Sequence, residues 1–176
     1  LTALLLIESL LLSLAPVPAL AQPIEPEPPR AAADAAPAWK CSIDVDAERG
    51  GTLELEGLRV EVPAGAVSAA TTVTVTKLPS AHRLAESLAN ATAGATAWRF
   101  EPLGARFTRG LSITMQFERS LLDSETALSN LFVYFYDEGS GRWERLRRLA
   151  IDREAATVTS VTDHFTDMIA ATLPLP

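Results

Sequence analysis

The sequence predicts an all-β fold, an antiparallel β-sandwich, and three observations support this. From residue 41 onward, apolar and polar residues alternate with a period of two, as in residues 52–56, 58–62 and 71–78. Alternation of this kind is typical of strands that bury one face. Turn signals such as residues 137–141 separate the segments at short intervals, and only two brief stretches favour a helix.

The first 21 residues have the pattern of a secretory signal peptide. Residues 4–14 form a largely apolar run, and the small residues Ala19 and Ala21 follow at the positions that signal peptidases require. The run is shorter than the roughly 20 residues that a stable membrane helix needs. We therefore expect cleavage after Ala21, a secreted, extracytoplasmic location, and no stable membrane span after cleavage.

Residues 22–40 are rich in proline and alanine. Seven of the twelve prolines of the chain lie between Pro16 and Pro37. Such a segment buries little apolar surface, and its prolines favour an extended polyproline geometry. We expect a disordered linker over residues 22–40, followed by one β-sandwich domain over residues 41–174.

The other elements of this domain follow from the same two-residue period. Further strand-like segments are residues 97–100, 111–117, 131–136, 143–146, 149–152 and 157–161. Together with the three segments above, they predict about eight or nine short strands, as in a sandwich or barrel. Residues 82–90 and 121–129 are the two stretches that we predict to be helical.

Composition excludes several functional classes. The formal charge of −7, from 22 acidic and 15 basic residues, provides no positive field for a phosphate backbone, so nucleic acid is not an expected partner. A single cysteine, Cys41, rules out an intrachain disulfide, and two histidines argue against a histidine-rich metal centre. The sequence has no phosphate loop, dinucleotide fingerprint or Gly-x-Ser-x-Gly elbow. We expect no cofactor and, apart from the self-processing considered below, no enzymatic activity.

Five ordered segments carry a resemblance to a known family. They are residues 50–53 (GGTL), 60–67 (VEVPAGAV), 100–107 (FEPLGARF), 131–138 (LFVYFYDE) with Arg142 and Trp143, and 161–173, which ends in DHFTDMIAATL. In their order and spacing they resemble the ZU-five domain of ankyrins and netrin receptors, and in particular its bacterial branch. The last segment is similar to the amino-terminal region of large exported bacterial proteins related to SpvB and to toxin-complex B components, which continue into RHS repeats.

The resemblance implies a ZU-five-like sandwich that acts as a non-enzymatic protein-interaction or structural module. It also implies that the chain is the amino-terminal domain of a larger toxin-like, RHS-type exported protein. The partners would then be proteins, either other modules of the same polypeptide or a surface partner.

A carbohydrate- or surface-adhesion sandwich is a further option that an exposed aromatic strip would favour. The sequence reveals no such strip, and Trp39, Trp98 and Trp143 are interpreted as packing residues.

The resemblance also draws attention to His164, Phe165 and Thr166. Some ZU-five domains cut themselves within a His-Phe-Ser sequence near the end of the domain. By that likeness Thr166 would be the nucleophile, His164 the base, and the peptide bond between Phe165 and Thr166 the one that is cut. The favoured interpretation is structural, with Phe165 in the core and with His164 and Thr166 on the opposite face of a terminal strand.

Asp44, Asp46 and Glu48 are a weak candidate for a metal site. Their spacing of two residues would place all three on one side of a strand, and hard cations prefer such clusters of oxygen atoms. The sequence lacks the Asp-x-Asp-x-Asp-Gly loop with a distal glutamate that calcium-binding loops contain. A solvated strand edge is therefore the favoured interpretation.

Five arginines concentrate positive charge after the predicted turn at residues 137–141. They are Arg142, Arg145, Arg147, Arg148 and Arg153. Alternate arginines on a strand can dock an acidic partner surface. The favoured interpretation is that they keep an exposed sheet edge soluble.

Overall fold

The computed structural model describes residues 39–94, 96–122 and 124–173. These residues form antiparallel sheets with almost no helix, which confirms the predicted all-β class. The predicted signal peptide, and the predicted linker up to residue 38, lie outside the described residues. No helix within the described ranges is both long and apolar enough to cross a membrane.

Twelve strands and one short α-helix make up the described part of the chain. The strands are β1 (Lys40–Val45), β2 (Gly51–Leu55), β3 (Leu58–Val62), β4 (Thr71–Leu78), β5 (Ala89–Asn90), β6 (Ala97–Glu101), β7 (Arg106–Gln116), β8 (Phe132–Asp137), β9 (Arg142–Arg145), β10 (Arg147–Asp152), β11 (Thr157–His164) and β12 (Asp167–Thr172). The helix α1 spans Glu125–Ser129, and a 3-10 turn at Arg119–Leu121 precedes it.

The strands form two sheets in a β-sandwich-like arrangement. The seven-stranded sheet has the order β1-β4-β6-β12-β8-β9, with β5 paired to β12, and the five-stranded sheet has the order β10-β11-β7-β3-β2. The chain passes from one sheet to the other at both edges, through the turn between β1 and β2 and through Leu146 between β9 and β10. It also crosses between β3 and β4, between β6 and β7, between β7 and β8, and between the interior strands β11 and β12.

The alternating pattern of the sequence explains the main core between the sheets. In β3, for example, Leu58, Val60 and Val62 are buried while the two residues between them are exposed. The largest fully buried side chains include Phe100 and Phe165, which come from β6 and from the link between β11 and β12. Full burial of side chains of this size stabilises a fold by about 1.5–3 kcal/mol each.

A second, smaller core lies on the outer face of the seven-stranded sheet. Ala97, Tyr134, Ile169 and Ala171 are buried there, and the apolar side chains of the loop at residues 79–88 pack against them. Strand β12 is therefore covered on both faces, and all six of its residues are buried. A strand of this kind has no polar face, so the alternation that identifies the other strands is absent from it.

The predicted helix at residues 82–90 is wrong. The segment consists of bends and turns and ends in strand β5. Leu84 and Leu88 are four residues apart, a spacing that resembles a helical face, but both pack against the outer face of a sheet. The second predicted helix, at residues 121–129, is confirmed in part by α1, which Ser124 caps by accepting a hydrogen bond from the Ala127 amide at 3.1 Å.

The turn between β1 and β2 depends on a glycine. Gly50 has φ of +68°, and a Cβ atom at this position would lie 2.1 Å from the Val62 carbonyl oxygen. Its amide donates to the Asp46 carbonyl at 3.0 Å and closes the turn. Only glycine combines this backbone conformation with so close an approach of a neighbouring strand.

Candidate functional site

His164, Phe165 and Thr166 lie where the chain passes from the five-stranded sheet to the seven-stranded sheet. β11 ends at His164 and β12 begins at Asp167, so Phe165 and Thr166 form the crossover segment. The Phe165 side chain is 1% exposed, and its ring lies 4.6 Å from that of Phe107, centroid to centroid. Phe165 is thus a core residue, but the chain around it is a link between sheets instead of one continuous terminal strand.

The hydroxyl and the imidazole of the candidate cleavage site each have another partner. Thr166 Oγ1 donates to the Tyr136 carbonyl oxygen at 2.7 Å. His164 Nδ1 lies 2.9 Å from Asp163 Oδ1 and 3.5 Å from Thr162 Oγ1. Within the described residues no hydrogen bond joins His164 to Thr166. The arrangement therefore lacks the contact between base and nucleophile that activates a hydroxyl.

One contact at the crossover segment does suit an acyl-transfer reaction. The Gly104 amide donates to the Phe165 carbonyl oxygen at 2.9 Å. A donor in this position stabilises the negative charge that develops on a carbonyl oxygen under attack. The same bond also anchors the loop between β6 and β7 to the crossover segment, which is a structural role.

A groove of about 430 Å³ opens beside the crossover segment. Its charged lining residues are Arg106, Asp137, Glu138, Glu144, Asp163 and His164. The pKa of Asp163 is lowered, above all because the His164 side chain is hydrogen-bonded to its carboxylate. Hydrogen bonds from Ser140 and Gly139 lower the pKa of Asp137. Four carboxylates face one guanidinium and one imidazole, so the groove favours cationic groups over anionic ones.

The weak metal candidate is not gathered on one side of a strand, contrary to the spacing argument. β1 ends at Val45, and the Asp44 carboxylate accepts a hydrogen bond from Thr72 Oγ1 at 2.7 Å. Asp46 instead forms the turn, accepting from the amides of Glu48 and Arg49 at 3.0 and 2.6 Å. The Arg49 amide and side chain lower the pKa of Asp46. In the part of the chain that the structure describes, no three His, Cys, Asp or Glu side chains converge to hold a metal ion.

The arginines after the turn divide into side chains that bond to the region of α1 and side chains without an ion pair; among the latter, Arg145 lies 4.4 Å over the ring of Phe132. Arg148 donates to the carbonyls of Leu128, Ser129 and Leu131 at the end of α1, and Arg153 pairs with Glu125. The remaining three are exposed and form no ion pair with another described residue; they are Arg142, Arg145 and Arg147. They lie on β9 and β10, the outermost strands of their sheets, as expected for arginines at a sheet edge.

A buried ionic cluster that the sequence analysis missed lies on the other side of the crossover segment. Asp167 is almost fully buried and accepts hydrogen bonds from Arg99 Nε at 2.8 Å and Nη2 at 2.9 Å. Its Oδ2 atom lies 3.1 Å from His82 Nε2. The His82 ring stacks on that of Tyr136 with centroids 3.7 Å apart. The sequence contained one indication of this cluster, namely a carboxylate inside the apolar run at residues 165–171. A carboxylate that is buried in such a run requires hydrogen-bond partners.

The prediction that all three tryptophans are packing residues is wrong for Trp39. Trp98 is 2% exposed and belongs to the main core, whereas Trp39 is 69% exposed. Trp143 lies edge-on to Tyr136, and its Nε1 atom donates to the His82 carbonyl at 3.4 Å. Trp39 and Trp98 line one cavity, although 58 residues separate them in the sequence.

Comparison with known proteins adds no assignment, because neither a family model nor a curated protein matches the chain.

Proposed function

We propose that the chain is a non-enzymatic, secreted protein-interaction module with a ZU-five-like sandwich, and that it forms the amino-terminal domain of a larger toxin-like, RHS-type exported protein. Three exposed arginines on two adjoining edge strands carry the protein-interaction part of the proposal, and the remainder rests on the sequence resemblance. This surface, the arginine edge, consists of Arg142, Arg145 and Arg147. These exposed arginines lie on the edge strands of a chain whose net charge is −7.

The position of the arginine edge suits recognition of an acidic protein segment. Among the described residues, β9 and β10 each have no neighbouring strand on one side, so the backbone groups on that side can pair with an extended segment. The arginines would attract carboxylates of that segment and select against basic ones. A register shift between Arg148 and Ala150 interrupts the pairing of β10 with β11, a feature that limits indiscriminate strand pairing at edges.

The binding of an acidic peptide tests this proposal. We expect a fluorescent peptide of alternating glutamate and valine to bind the purified full-length chain, as followed by anisotropy. Changing all three arginines of the edge to glutamine should weaken binding by at least about tenfold. The matched control changes Arg49, Arg59 and Arg109 to glutamine, which removes the same charge away from β9 and β10. Equal weakening in the two triple variants would show a nonspecific charge effect and reject the arginine edge.

Export is tested separately from binding. If the chain is secreted with a cleaved signal, the exported protein should begin at Gln22, the residue after the predicted cleavage site. Amino-terminal sequencing of material collected outside the cytoplasm measures this directly. A start within residues 1–21 would contradict the signal peptide, whereas the result leaves the binding experiment unaffected.

Self-cleavage is the second candidate function, and the hydrogen bond from Gly104 to the Phe165 carbonyl favours it. In this reaction Thr166 Oγ1 would attack the Phe165 carbonyl carbon, giving an ester and a free amine at Thr166. Water would then hydrolyse the ester and leave a carboxylate on Phe165. Intact-mass analysis of purified protein, with Thr166→Ala as the control, distinguishes the two candidates. A single intact mass in both proteins after prolonged incubation rejects self-cleavage.

A further inference from the structure

A cavity of about 290 Å³ lies at the end of the main core, beside the turn that joins β2 to β3. Two tryptophans and three polar side chains line it, namely Trp39, Trp98, Glu56, Lys77 and Gln116. We propose that this cavity, the tryptophan pocket, binds one unit of a neutral saccharide. The pocket is separate from the arginine edge and from the groove beside the crossover segment.

Trp39 supplies an aromatic platform whose backbone is fixed. Its carbonyl oxygen accepts a hydrogen bond from the Lys77 amide at 2.8 Å, next to the first pair of the β1–β4 ladder. The side chain is nevertheless 69% exposed, the largest exposure among the large hydrophobic residues of the described ranges. A pyranose ring has one face of C–H groups, and an indole ring offers the flat apolar surface that this face packs on. An exposed, positioned tryptophan therefore suits a sugar ring.

The polar side chains around the pocket suit hydroxyl groups. Glu56 offers acceptors, Lys77 offers donors, and Gln116 offers both. None of these side chains forms a hydrogen bond or ion pair with another residue in the described ranges. Glu56 and Lys77 carry opposite charges, so the pocket has no net charge that would favour an anion or a cation. A neutral polyol can hydrogen-bond to both, because each hydroxyl donates and accepts.

The indole nitrogen of Trp98 is the second observation that indicates a ligand. Trp98 Nε1 is buried and has no hydrogen-bond partner among the described residues. Buried donors are almost always paired, so an unpaired one beside a cavity indicates that a polar atom belongs there. Trp143 provides the contrast, because its Nε1 atom donates to the His82 carbonyl. A hydroxyl oxygen of the ligand would complete the missing bond.

The size of the cavity limits the ligand. Small-molecule sites usually have volumes of roughly 300–1,000 Å³, so 290 Å³ is just below that range. There is room for one sugar unit, either free or at the end of a longer glycan.

The proline-rich residues 22–38 precede Trp39 directly, and aromatic grooves also bind proline-rich segments. A peptide of that sequence is therefore included in the test as a competing occupant.

Nuclear magnetic resonance of the three indole N–H signals tests the proposal on the purified full-length chain. The signals are assigned with single Trp→Phe variants. Glucose, galactose, rhamnose and N-acetylglucosamine are each added up to about 20 mM, a range that detects the weak affinities usual for single sugars. We expect at least one sugar to shift the signals of Trp39 and Trp98 while that of Trp143 stays in place.

Two variants make the result specific to the pocket. Trp39→Ala should weaken the affinity for that sugar by at least about tenfold, and Trp143→Phe should leave it unchanged. Trp98 belongs to the core, so Gln116→Ala replaces it as the second pocket variant and should weaken binding by about threefold or more. The proposal is overturned if no sugar shifts the Trp39 and Trp98 signals, if all three signals shift equally, or if binding survives Trp39→Ala. It is also overturned if only the peptide of residues 22–38 shifts them.

Discussion

Two histidine–aspartate pairs lie in the described part of the chain, with nearly equal lengths and very different surroundings. His82 Nε2 lies 3.1 Å from Asp167 Oδ2, and His164 Nδ1 lies 2.9 Å from Asp163 Oδ1. The Asp167 side chain is 4% exposed, whereas that of Asp163 is 66% exposed. The first pair joins residues 85 positions apart, and the second joins neighbours in one strand.

The difference shows that surroundings, more than distance, determine what each pair does for the fold. Asp167 lies in β12 between two other strands, so its charge requires the paired hydrogen bonds of Arg99 and the contact with His82. The same hydrogen bonds raise the pKa of Arg99. The buried pair also ties the loop at residues 79–88 to the sheet that it covers. In the second pair, here called the exposed pair after its carboxylate, water solvates Asp163, and ion pairs with a solvated carboxylate contribute little to stability.

Removal of the buried charge should have the largest effect. We expect Asp167→Asn to lower the free energy of unfolding by about 2–3 kcal/mol, because Arg99 and His82 lose the charge that they share. The figure lies below that for a fully buried pair, since both partners are partly exposed. Urea denaturation measures it. Asp163→Asn is the matched control and should change stability by under about 0.5 kcal/mol. Similar losses in the two variants would contradict the contrast drawn above.

Removal of the histidine from the buried pair should have an intermediate effect. His82→Ala loses one hydrogen bond to Asp167 and the stack on Tyr136, so we expect a loss of about 1–1.5 kcal/mol in the free energy of unfolding. Because His82 holds the loop, trypsin should cut after the adjacent Arg83 several times faster than in the unaltered protein. His164→Ala serves as the control and should leave cleavage after Arg83 unchanged. Unaltered cleavage in His82→Ala would mean that the apolar contacts of the loop hold it alone.

The sequence predicts the strands that have one polar face, and it fails for strands without one. Alternation locates β2, β3 and β4 correctly because their outward-facing residues are polar. It misses β12 because the loop at residues 79–88 covers the face that would otherwise be solvated. The same loop is mistaken for a helix, since the spacing of its leucines reflects contact with the sheet. The periodicity of a segment indicates which of its faces is buried, but it does not indicate which other element of the fold covers that face.

The candidate sites depend on contacts between distant residues, and a single sequence does not show these. Trp39 and Trp98 share a pocket only because β4 lies between β1 and β6. Asp167 meets Arg99 through the neighbouring strands β6 and β12, and it meets His82 through the loop that covers the sheet. The residues around His164 were found from the sequence, but their hydrogen-bond partners were not. The sequence shows which residue types are present, whereas the order of the strands determines which of these residues come into contact.

The exposed pair should have the smallest effect, and acid titration should reveal it. The pKa of Asp163 is lowered mainly by its hydrogen bond with His164 and further by the charges of His164 and Arg106. The ionised form is therefore stabilised in the folded chain, and this contribution is complete above the ordinary pKa of 3.8. As pH falls, the folded chain takes up the proton only when the lowered pKa is reached, and the contribution is then lost. Carboxyl NMR should place the Asp163 midpoint below 3.8, and His164→Asn should raise it. If the titration midpoint of Asp163 is unchanged in His164→Asn, the lowered pKa of Asp163 is due to Arg106 instead. The variant Arg106→Gln then tests that explanation.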